Sequence, residues 1–508
     1  MRIFRKWFEN GKRRILNRLD KTGDTATFKP QFKAGNIHYE TSDKVQGISC
    51  GGIGAIQQMV KKINLAEAID RKLHLLKIHL PYQESDHVLN IAYNSLCGGE
   101  CLQDLELRRN DENYLNALDT KRIPDPTTAG DFCRRFGEGD VLTLINVFND
   151  VRQGIWSKQP PEFFNCATID MDGTMAPTTG ECKGGMDISY KGYWGYHPLI
   201  LSLAETGELL SIINRSGNRP SHEGAAWEVD RALLLCLQSG FRRILLRGDT
   251  DFSQTEHLDR WSRLSQVRFI FGYDAKSNIV EIADKLPETA WKPLTRPERY
   301  QVKTKPRQQP MNVKDRVVKE REFDTLRLRS EEVAEFSYQP IACEEPKRMI
   351  VVRKNITKEK GEKALFDDVR YFFYITNEWE WTPDEIVFSA NDRCNQENLI
   401  AQLKGDVGAL QAPVDNLVSN WAYMVMTGLA WNLKAWWALL LPELPGRWRE
   451  KHRDEKRWVL NLEFKAFRNA FVLLPCQIIR TGRKLVYRLI SWNPHLSIFF
   501  RLVTALKC

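Results

Sequence analysis

The spacing of apolar residues changes near residue 163 of the chain. From about 44 to 158 the apolar positions recur at helical spacing, as in IGAIQQMVKKINLAEAIDRKL and HVLNIAYNSL, and clusters of Pro, Gly and Asp separate the runs. Beyond 163 the apolar runs are short and are separated by turn residues, which is typical of strands. The pattern therefore predicts an all-helical N-terminal domain followed by a domain built on a sheet.

The sheet domain begins with strands and continues with alternating strands and helices. FFNCATIDMDGT and YHPLILSLAETGELLSIINRSGN predict three consecutive strands, two of them a hairpin, and GAAWEVDRALLLCLQSG predicts a helix. RRILLRGD and VRFIFGYDA predict two more strands, separated by a helix around SQTEHLDRWSRL. This order is typical of an α/β fold in which helices cover the faces of a mixed sheet.

A segment rich in Lys, Arg, Glu and Pro interrupts this order. Its alternating pieces, such as EEVAEFSYQPIA and KRMIVVRKN, predict an inserted strand-rich subdomain, after which the core resumes with the strand DVRYFFYITN, a long helix over about 383–406 and an apolar helix over 417–441. The expected segments are a basic N-terminal arm (1–43), a helical domain expected to bind DNA (44–158), the first part of the core (159–275), the insertion (276–366), the second part of the core (367–445) and a basic C-terminal tail (446–508).

Two helices of these segments have more than one interpretation. In PDPTTAGDFCRRF, Thr128 stands three residues before Asp131 and predicts a capped helix start, which suits either a helix-turn-helix or a plain bundle. Residues 416–433 contain no charge and touch the length of a membrane span. Their internal Asn, Ser and Thr, with Asp415 and Lys434 at the ends, favour a helix buried in a cytoplasmic protein without a membrane partner.

Composition and charge narrow the class of partner. The apolar and charged fractions, 42% and 27% of 508 residues, are close to globular averages and argue against a disordered or fibrous chain. The chain has 74 Lys and Arg against 65 Asp and Glu, a net charge of +9, which favours polyanionic partners. Beyond Gly446 the imbalance is greatest, with fourteen basic residues against four acidic ones.

Transfer of phosphate diesters requires carboxylates that can hold metal ions, so aspartates at strand ends are the first candidates. Asp172 ends the strand ATIDMD and is followed by the small residues Gly and Thr, while Asp170 lies on the same face. Asp249 ends the strand ILLRGD, with Asp251 two residues later. The alternative for each aspartate is a structural cap at the junction between strand and loop.

A third carboxylate lies on the long helix, in SANDRCNQENLIAQLK. At about 100° per residue, Arg393 and Lys404 fall within roughly 40° of Glu397 around the helix axis. A metal-binding carboxylate between two cations suits a site that must also grip phosphate. The alternative is a salt-bridged helix surface.

Together the motifs D-G-T, G-D-x-D-F and R-x3-E-x6-K resemble the DDE transposases of bacterial insertion sequences, in the group with a tyrosine–arginine–glutamate–lysine signature helix. The likeness covers about 44 to 490. It implies an RNase H-like sheet on which Asp172, Asp249 and Glu397 form the catalytic triad and hold two Mg²⁺ or Mn²⁺ ions, with Arg393 and Lys404 as phosphate contacts.

The resemblance also implies partners and a reaction. It implies a homodimer that binds double-stranded DNA at the nucleoid, cleaves the terminal repeats of an element and joins the 3′ ends to target DNA. An RNase H-like nuclease without joining, and a catalytically silent DNA-binding repressor, are the alternatives. In relatives a Trp of the insertion stacks on an unpaired base, for which Trp291, Trp379 and Trp381 are candidates.

The sequence departs from the family pattern at two positions. Ala390 stands where the signature tyrosine is expected, and Asp251 stands where a glycine usually follows the second aspartate. The choice of Asp249 over Asp251 therefore stays open at this point. The same question applies to Asp170 and Asp172, and Asp172 is chosen because the aspartate of the family directly precedes the small residue and Thr.

Overall fold

The structure is a computed structural model that describes residues 9–17, 37–40, 45–79, 81–180, 182–189, 191–296, 313–322, 324–360, 363–482, 484–490 and 492–507. In these residues the strands are β1 (Gln46–Ile48), β2 (Ala167–Gly173), β3 (Ala176–Pro177), β4 (Asp187–Ile188), β5 (Trp194–Tyr196), β6 (Leu199–Leu203), β7 (Glu208–Ile213), β8 (Ile244–Gly248), β9 (Val267–Tyr273), β10 (Lys292–Pro293), β11 (Asp324–Tyr338), β12 (Lys347–Lys360), β13 (Lys363–Thr376), β14 (Cys476–Thr481) and β15 (Lys484–Leu489). The longer helices are α1 (Ile53–Lys62), α2 (Leu65–Lys72), α3 (Glu84–Leu96), α4 (Leu105–Arg109), α5 (Glu112–Ala117), α6 (Pro126–Arg134), α7 (Glu138–Trp156), α8 (Ala225–Gln238), α9 (Thr255–Ser262), α10 (Ser277–Asp284), α11 (Val313–Glu320), α12 (Pro383–Asp392), α13 (Cys394–Lys404), α14 (Leu417–Leu439), α15 (Arg449–Leu460), α16 (Phe464–Phe467) and α17 (Leu496–Leu506).

Nine of the strands form one mixed sheet in the order β10-β11-β12-β13-β9-β8-β2-β6-β7. One half of it consists of β9, β8, β2, β6 and β7. In this half the predicted hairpin β6–β7 joins through β6, which is antiparallel to β2, while β8 and β9 run parallel to β2. The strands β6 and β8 are buried along their whole length because helices cover both faces of the sheet. The result is a mixed α/β fold, consistent with the RNase H-like sheet that was expected.

The insertion extends this sheet instead of forming a sheet of its own. Residues 373–376 of β13 pair antiparallel with β9, and β12 and β11 continue outward in two long hairpins. These strands have 14 or 15 residues against seven in β9, so most of their length projects beyond the end of β9. The alternation of apolar residues predicts strands, but it carries no information about which edge they join.

Helix α14 is the central helix of the molecule. Every residue from Ser419 to Leu439 is buried, and the helix packs against α3, α7, α15 and β7. The interpretation of this segment as a buried helix is confirmed. Among the described residues, no helix is long and apolar enough to cross a membrane.

The N-terminal helices and the C-terminal segment pack together. Strand β1 pairs with β14, and α17 packs on α1. The segment expected to be a basic tail is folded in its described part, because its apolar residues at Val459, Phe464, Phe467 and Phe471 are fully buried while most of its basic residues face outward.

Two predicted helix boundaries are wrong. The helix expected over 383–406 is two helices, α12 and α13, because hydrogen bonds from the Arg393 amide to Ala390 O and from the Gln396 amide to Arg393 O span three residues and tighten the turn. Helix α6 starts two residues before Thr128. Asp125 caps it by accepting from the Thr128 amide at 2.9 Å, with Pro126 in the first turn.

Helices α6 and α7 are separated by three residues, and both pack on α14. These contacts make them part of the bundle around the central helix, and whether they also contact DNA stays a prediction.

Candidate active site

The two predicted catalytic aspartates lie side by side at the carboxyl ends of parallel strands. Asp170 of β2 is opposite Arg247 of β8 in the strand register. Asp172, still within β2, and Asp249, the first residue after β8, each follow two residues later, so both lie at the same end of two adjacent parallel strands. They are close enough for the charge of Asp249 to raise the pKa of Asp172. The position follows from the sequence because each aspartate comes at the end of an apolar strand.

Asp172 is mostly buried, with 16% of its side chain exposed. Burial raises the pKa of this carboxyl group to about 6, and the negative charges of Asp249 and Glu397 act in the same direction. The Arg393 guanidinium, with Nη1 at 3.3 Å from Oδ2, opposes the increase in the pKa. A buried acid beside two other acids is electrostatically unfavourable unless cations join it.

Asp249 caps the short 3₁₀ turn Thr250–Phe252 and accepts a hydrogen bond from the Asp251 amide at 3.0 Å. Burial raises its pKa, with Arg393 opposing and Asp251 reinforcing the change. The glycine of the G-D-x-D-F motif is required by packing, since a Cβ at Gly248 would lie 2.7 Å from Cβ of the buried Phe252.

Glu397 lies in the first turn of α13, and 60% of its side chain is exposed. The preceding residue, Gln396, anchors this helix to the sheet: it is 2% exposed, accepts from the Ser202 hydroxyl and donates to Ile200 O at 3.2 Å. Both partners belong to β6, the neighbour of β2. Sequence reasoning missed Gln396, since its role depends on a strand almost two hundred residues away.

Arg393 lies at the turn between α12 and α13 and bridges two of the three acids. Its guanidinium is 3.3 Å from Asp172 and 3.7 Å from Glu397. The side chain expected to contact phosphate therefore pairs with carboxylates in the protein alone. Lys404, on the same helix, is close enough for Asp172 to affect its charge: burial lowers the pKa of this amine and Asp172 opposes that change.

The neighbouring acids differ from the predicted ligands in their surroundings. Asp170 is 1% exposed and accepts two hydrogen bonds from Arg247, at 2.7 and 2.8 Å, so its oxygens are already occupied. Asp251 points outward on the surface. These placements favour Asp172 and Asp249 as the residues of the site.

Of the three tryptophans considered for base stacking, two are packed against arginines and the third lies at the other end of the sheet. Trp291 is 7% exposed, with Arg353 over its ring at 4.3 Å, and Trp381 is half-buried under Arg243 at 4.7 Å. Trp379 is exposed but follows β13 past the start of β9, at the opposite end of the sheet from Asp249. The sequence could not predict this, because the pattern of apolar residues does not distinguish a buried Trp from one that is exposed to solvent.

The donor types fit divalent metal ions, since Mg²⁺ and Mn²⁺ prefer carboxylate oxygens and the mutual repulsion of the acids is what a cation would relieve. Asp172, Asp249 and Glu397 are the residues that could hold them. In the part of the chain that the structure describes, no three His, Cys, Asp or Glu side chains are arranged as a ready metal site. The Arg393 guanidinium lies between Asp172 and Glu397, so Glu397 would have to approach the aspartates.

Residues 44–507 match the family described as Transposase DDE domain group 1. The chain belongs to this family. DDE transposases are enzymes that cleave and transfer DNA strands and generally use divalent metal ions, so the expectation of a DNA-cutting and DNA-joining enzyme is confirmed at the level of the family.

Comparisons of this DDE transposase with curated proteins and solved structures assign no further property to it. No curated protein is significantly similar to the chain. Seven chains of solved structures are similar, among them the piggyBac transposase in a synaptic complex with hairpin DNA, determined by cryo-EM. That chain is 12% identical, with 82% of this chain and 81% of that chain covered and a TM-score of 0.34. So low a score gives no residue correspondence.

Proposed function

We propose that this transposase binds the ends of a bacterial insertion sequence, cleaves the DNA there and joins the freed 3′ ends to target DNA. The observation that carries the proposal is the convergence of Asp172 and Asp249, at the ends of adjacent parallel strands, with Glu397 across the Arg393 guanidinium. Two DNA ends must meet before joining, so the active form on DNA is a dimer.

The side chains divide the chemistry between them. When bound, two Mg²⁺ or Mn²⁺ ions held by Asp172, Asp249 and Glu397 would neutralise charge on the attacking and leaving oxygens. Asp172 must be ionised to act as a ligand, which its pKa of about 6 permits at neutral pH. Arg393 and Lys404 bind and orient the phosphate. Arg393 exchanges its carboxylate partners for a phosphate oxygen when DNA enters, because a guanidinium suits both.

Substitution of the carboxylates tests the assignment. Asp249→Asn and Glu397→Gln should each abolish strand cleavage while binding of end DNA stays nearly intact, since metal ligands contribute to chemistry more than to DNA affinity. The DNA is a plasmid carrying the genomic sequence that flanks the gene, with Mg²⁺ or with EDTA. Asp251→Asn is the matched control and should cleave like the wild type. A mutant that cleaves within about tenfold of the wild-type rate would remove its residue from the triad.

A joining assay separates the proposal from its alternatives. Oligonucleotides that already end at the cleaved 3′ terminus are incubated with a supercoiled target plasmid. Covalent transfer into the plasmid is expected. Cleavage without transfer would indicate a nuclease, and binding without cleavage by the wild-type protein would indicate a silent repressor.

A further inference from the structure

A buried ion pair lies directly beneath the candidate active site. The Arg247 guanidinium donates from Nε and Nη2 to the two oxygens of Asp170, at 2.7 and 2.8 Å. The side chains are 7% and 2% exposed. Its remaining nitrogen, Nη1, donates to Ser389 O at 2.8 Å, so each end of the guanidinium has a partner.

These three contacts reach the three segments that carry the catalytic carboxylates. Asp170 precedes Asp172 by two residues on β2, so both share one face of that strand, and Arg247 of β8 precedes Asp249, the first residue after that strand, by two residues. Ser389 belongs to α12, whose end is the turn that leads to Arg393 and the helix of Glu397.

Stability alone is a weak reason for such a pair. Removing two charges from water is costly, and apolar replacements of buried ion pairs are often neutral or stabilising. An apolar pair, however, makes no directional hydrogen bonds and therefore does not fix the relative position of the segments that carry it. Two parallel hydrogen bonds to one carboxylate fix the distance between β2 and β8, and a third bond, to a helix carbonyl, fixes the position of α12 relative to these strands.

We propose that Arg247, paired with Asp170, is a positioning residue that sets the relative placement of Asp172, Asp249 and the helix of Glu397 for metal binding and cleavage. The inference rests on the proposed function, but it concerns the geometry of the metal-binding carboxylates, which can be tested through metal binding without a cleavage assay. Where catalytic groups are held to within a fraction of an ångström, a displacement of about 1 Å can reduce the rate about a hundredfold.

The test variant is the apolar double substitution Asp170→Leu with Arg247→Met, which removes the bonds without leaving one charge buried alone. Its matched control is Arg152→Met with Glu208→Leu, an equally buried pair in which Arg152 Nε is 2.9 Å from Glu208. That pair joins α7 to β7 and touches none of the three catalytic segments. Arg247→Lys keeps a charge but cannot form the bidentate contact, so it should be intermediate.

Two readouts are needed, cleavage of the flanking-DNA plasmid in a single turnover and the rise in melting temperature on adding MnCl₂ alone. We expect the Asp170/Arg247 variant to bind DNA within about twofold of wild type, to cleave about a hundredfold more slowly and to need more Mn²⁺ for the same rise. The control variant should keep the wild-type Mn²⁺ response and the wild-type cleavage rate per folded molecule.

Cleavage within threefold of wild type, or an unchanged Mn²⁺ response, would overturn the positioning role. An equal loss of cleavage rate and Mn²⁺ response in the Arg152/Glu208 control would also overturn it, because loss of any buried ion pair would then have the same effect. If wild-type protein fails to cleave the plasmid, the proposed function fails, and the Mn²⁺ response alone still decides whether Arg247 positions the carboxylates. If Arg247→Met with Asp170→Leu does not fold, Arg247→Lys is measured in the same two ways.

Discussion

At the scale of single residues, Asp172 lies where its negative charge is unfavourable. Burial and the charges of Asp249 and Glu397 raise its pKa to about 6, and the Arg393 guanidinium offsets only part of this. Repulsion among these carboxylates therefore destabilises the metal-free protein, and bound metal ions would relieve it. The effect of this repulsion on protein stability can be measured without a cleavage assay.

We expect Asp172→Asn to stabilise the protein in EDTA at pH 7.5. Because the folded-state pKa lies above the ordinary aspartate value of 3.8, the group contributes stability that is complete below pH 3.8 and is lost as the pH rises to about 6. The charged form costs on the order of 3 kcal/mol at neutral pH. Melting temperatures in EDTA should therefore agree near pH 4, diverge as the pH rises from about 4 to about 6 and stay apart above pH 6, and Mg²⁺ should raise only that of the wild type. Equal melting temperatures at pH 7.5 would contradict the prediction.

Arg393 and Lys404 should contact the DNA backbone. Each phosphate contact releases counterions, so Arg393→Ala and Lys404→Ala should each reduce the slope of log affinity against log salt by about 1, and should weaken different DNA sequences alike. Arg393→Lys keeps the charge and is the control that should keep the slope. An unchanged slope accompanied by a lower melting temperature would mean that the substituted residue is a structural ion-pair partner.

The sequence predicts the aspartates of the site but not their neighbours. Asp172 and Asp249 are recognisable because each ends an apolar strand. The choice between Asp170 and Asp172 cannot be made from spacing, since both face the same side, and depends on the distant Arg247 that binds Asp170. Gln396 carries no local signal either, as its partners are the backbone and a hydroxyl of another strand.

At the scale of elements, a small three-stranded sheet, β3-β5-β4, follows the end of β2 that carries Asp172. Trp194, the first residue of β5, and Tyr193 just before it are 52% and 58% exposed, although large aromatic residues are usually buried. The chain passes from this sheet directly into β6, beside β2. These aromatic rings are therefore exposed at the end of the large sheet that carries Asp172.

Trp194 should stack on an unpaired base near the cleaved end. Trp194→Ala is expected to weaken binding of a DNA end with frayed terminal bases by about 1–3 kcal/mol, and to affect fully paired DNA less. Trp379→Ala is the matched control, because Trp379 is 62% exposed at the opposite end of the sheet and should leave both affinities unchanged. Equal losses for the two variants would remove the stacking role.

At the scale of the whole molecule, α14 joins the catalytic sheet to the helical parts. Its internal Asn432 accepts from the Leu209 amide at 2.8 Å, on the edge strand β7, and Trp421 and Trp431 donate to backbone carbonyls of the same region. Asn432, one of the polar residues that argue against a membrane span, thus pairs with a backbone amide on the edge of the sheet. The sequence predicts a buried helix here, but only the structure supplies its partners.

Asn432→Leu should lower the free energy of unfolding by about 1–3 kcal/mol, because the Leu209 amide loses its acceptor inside the protein. The Leu209 carbonyl keeps a donor in Arg152. Met426→Leu, a similar volume on the same buried helix, is the control and should cost less than about 1.5 kcal/mol. Urea denaturation of both variants measures the difference, and equal costs would contradict a specific role for the Asn432 hydrogen bond.

The C-terminal segment completes the fold of the N-terminal helices, so its removal should do more than weaken DNA binding. The Gly51 and Gly52 amides donate to Leu474 O and Val472 O at 2.9 and 3.0 Å, and the Trp437 ring packs against Phe467 and Phe471. A chain ending at residue 445 loses all of these contacts. It should therefore melt well below the full chain and be cut by protease within 45–62.

If this segment acts only as a basic tail, truncation would leave the melting temperature unchanged and reduce only DNA affinity. The charge control is the full chain with Arg480→Gln, Lys484→Gln and Arg488→Gln, three exposed residues of β14 and β15. This triple variant should bind DNA with a lower salt slope yet keep the wild-type melting temperature, because it removes charge without disturbing the packing. A truncated chain that resists protease as well as this control does would show that the N-terminal helices fold without the C-terminal segment.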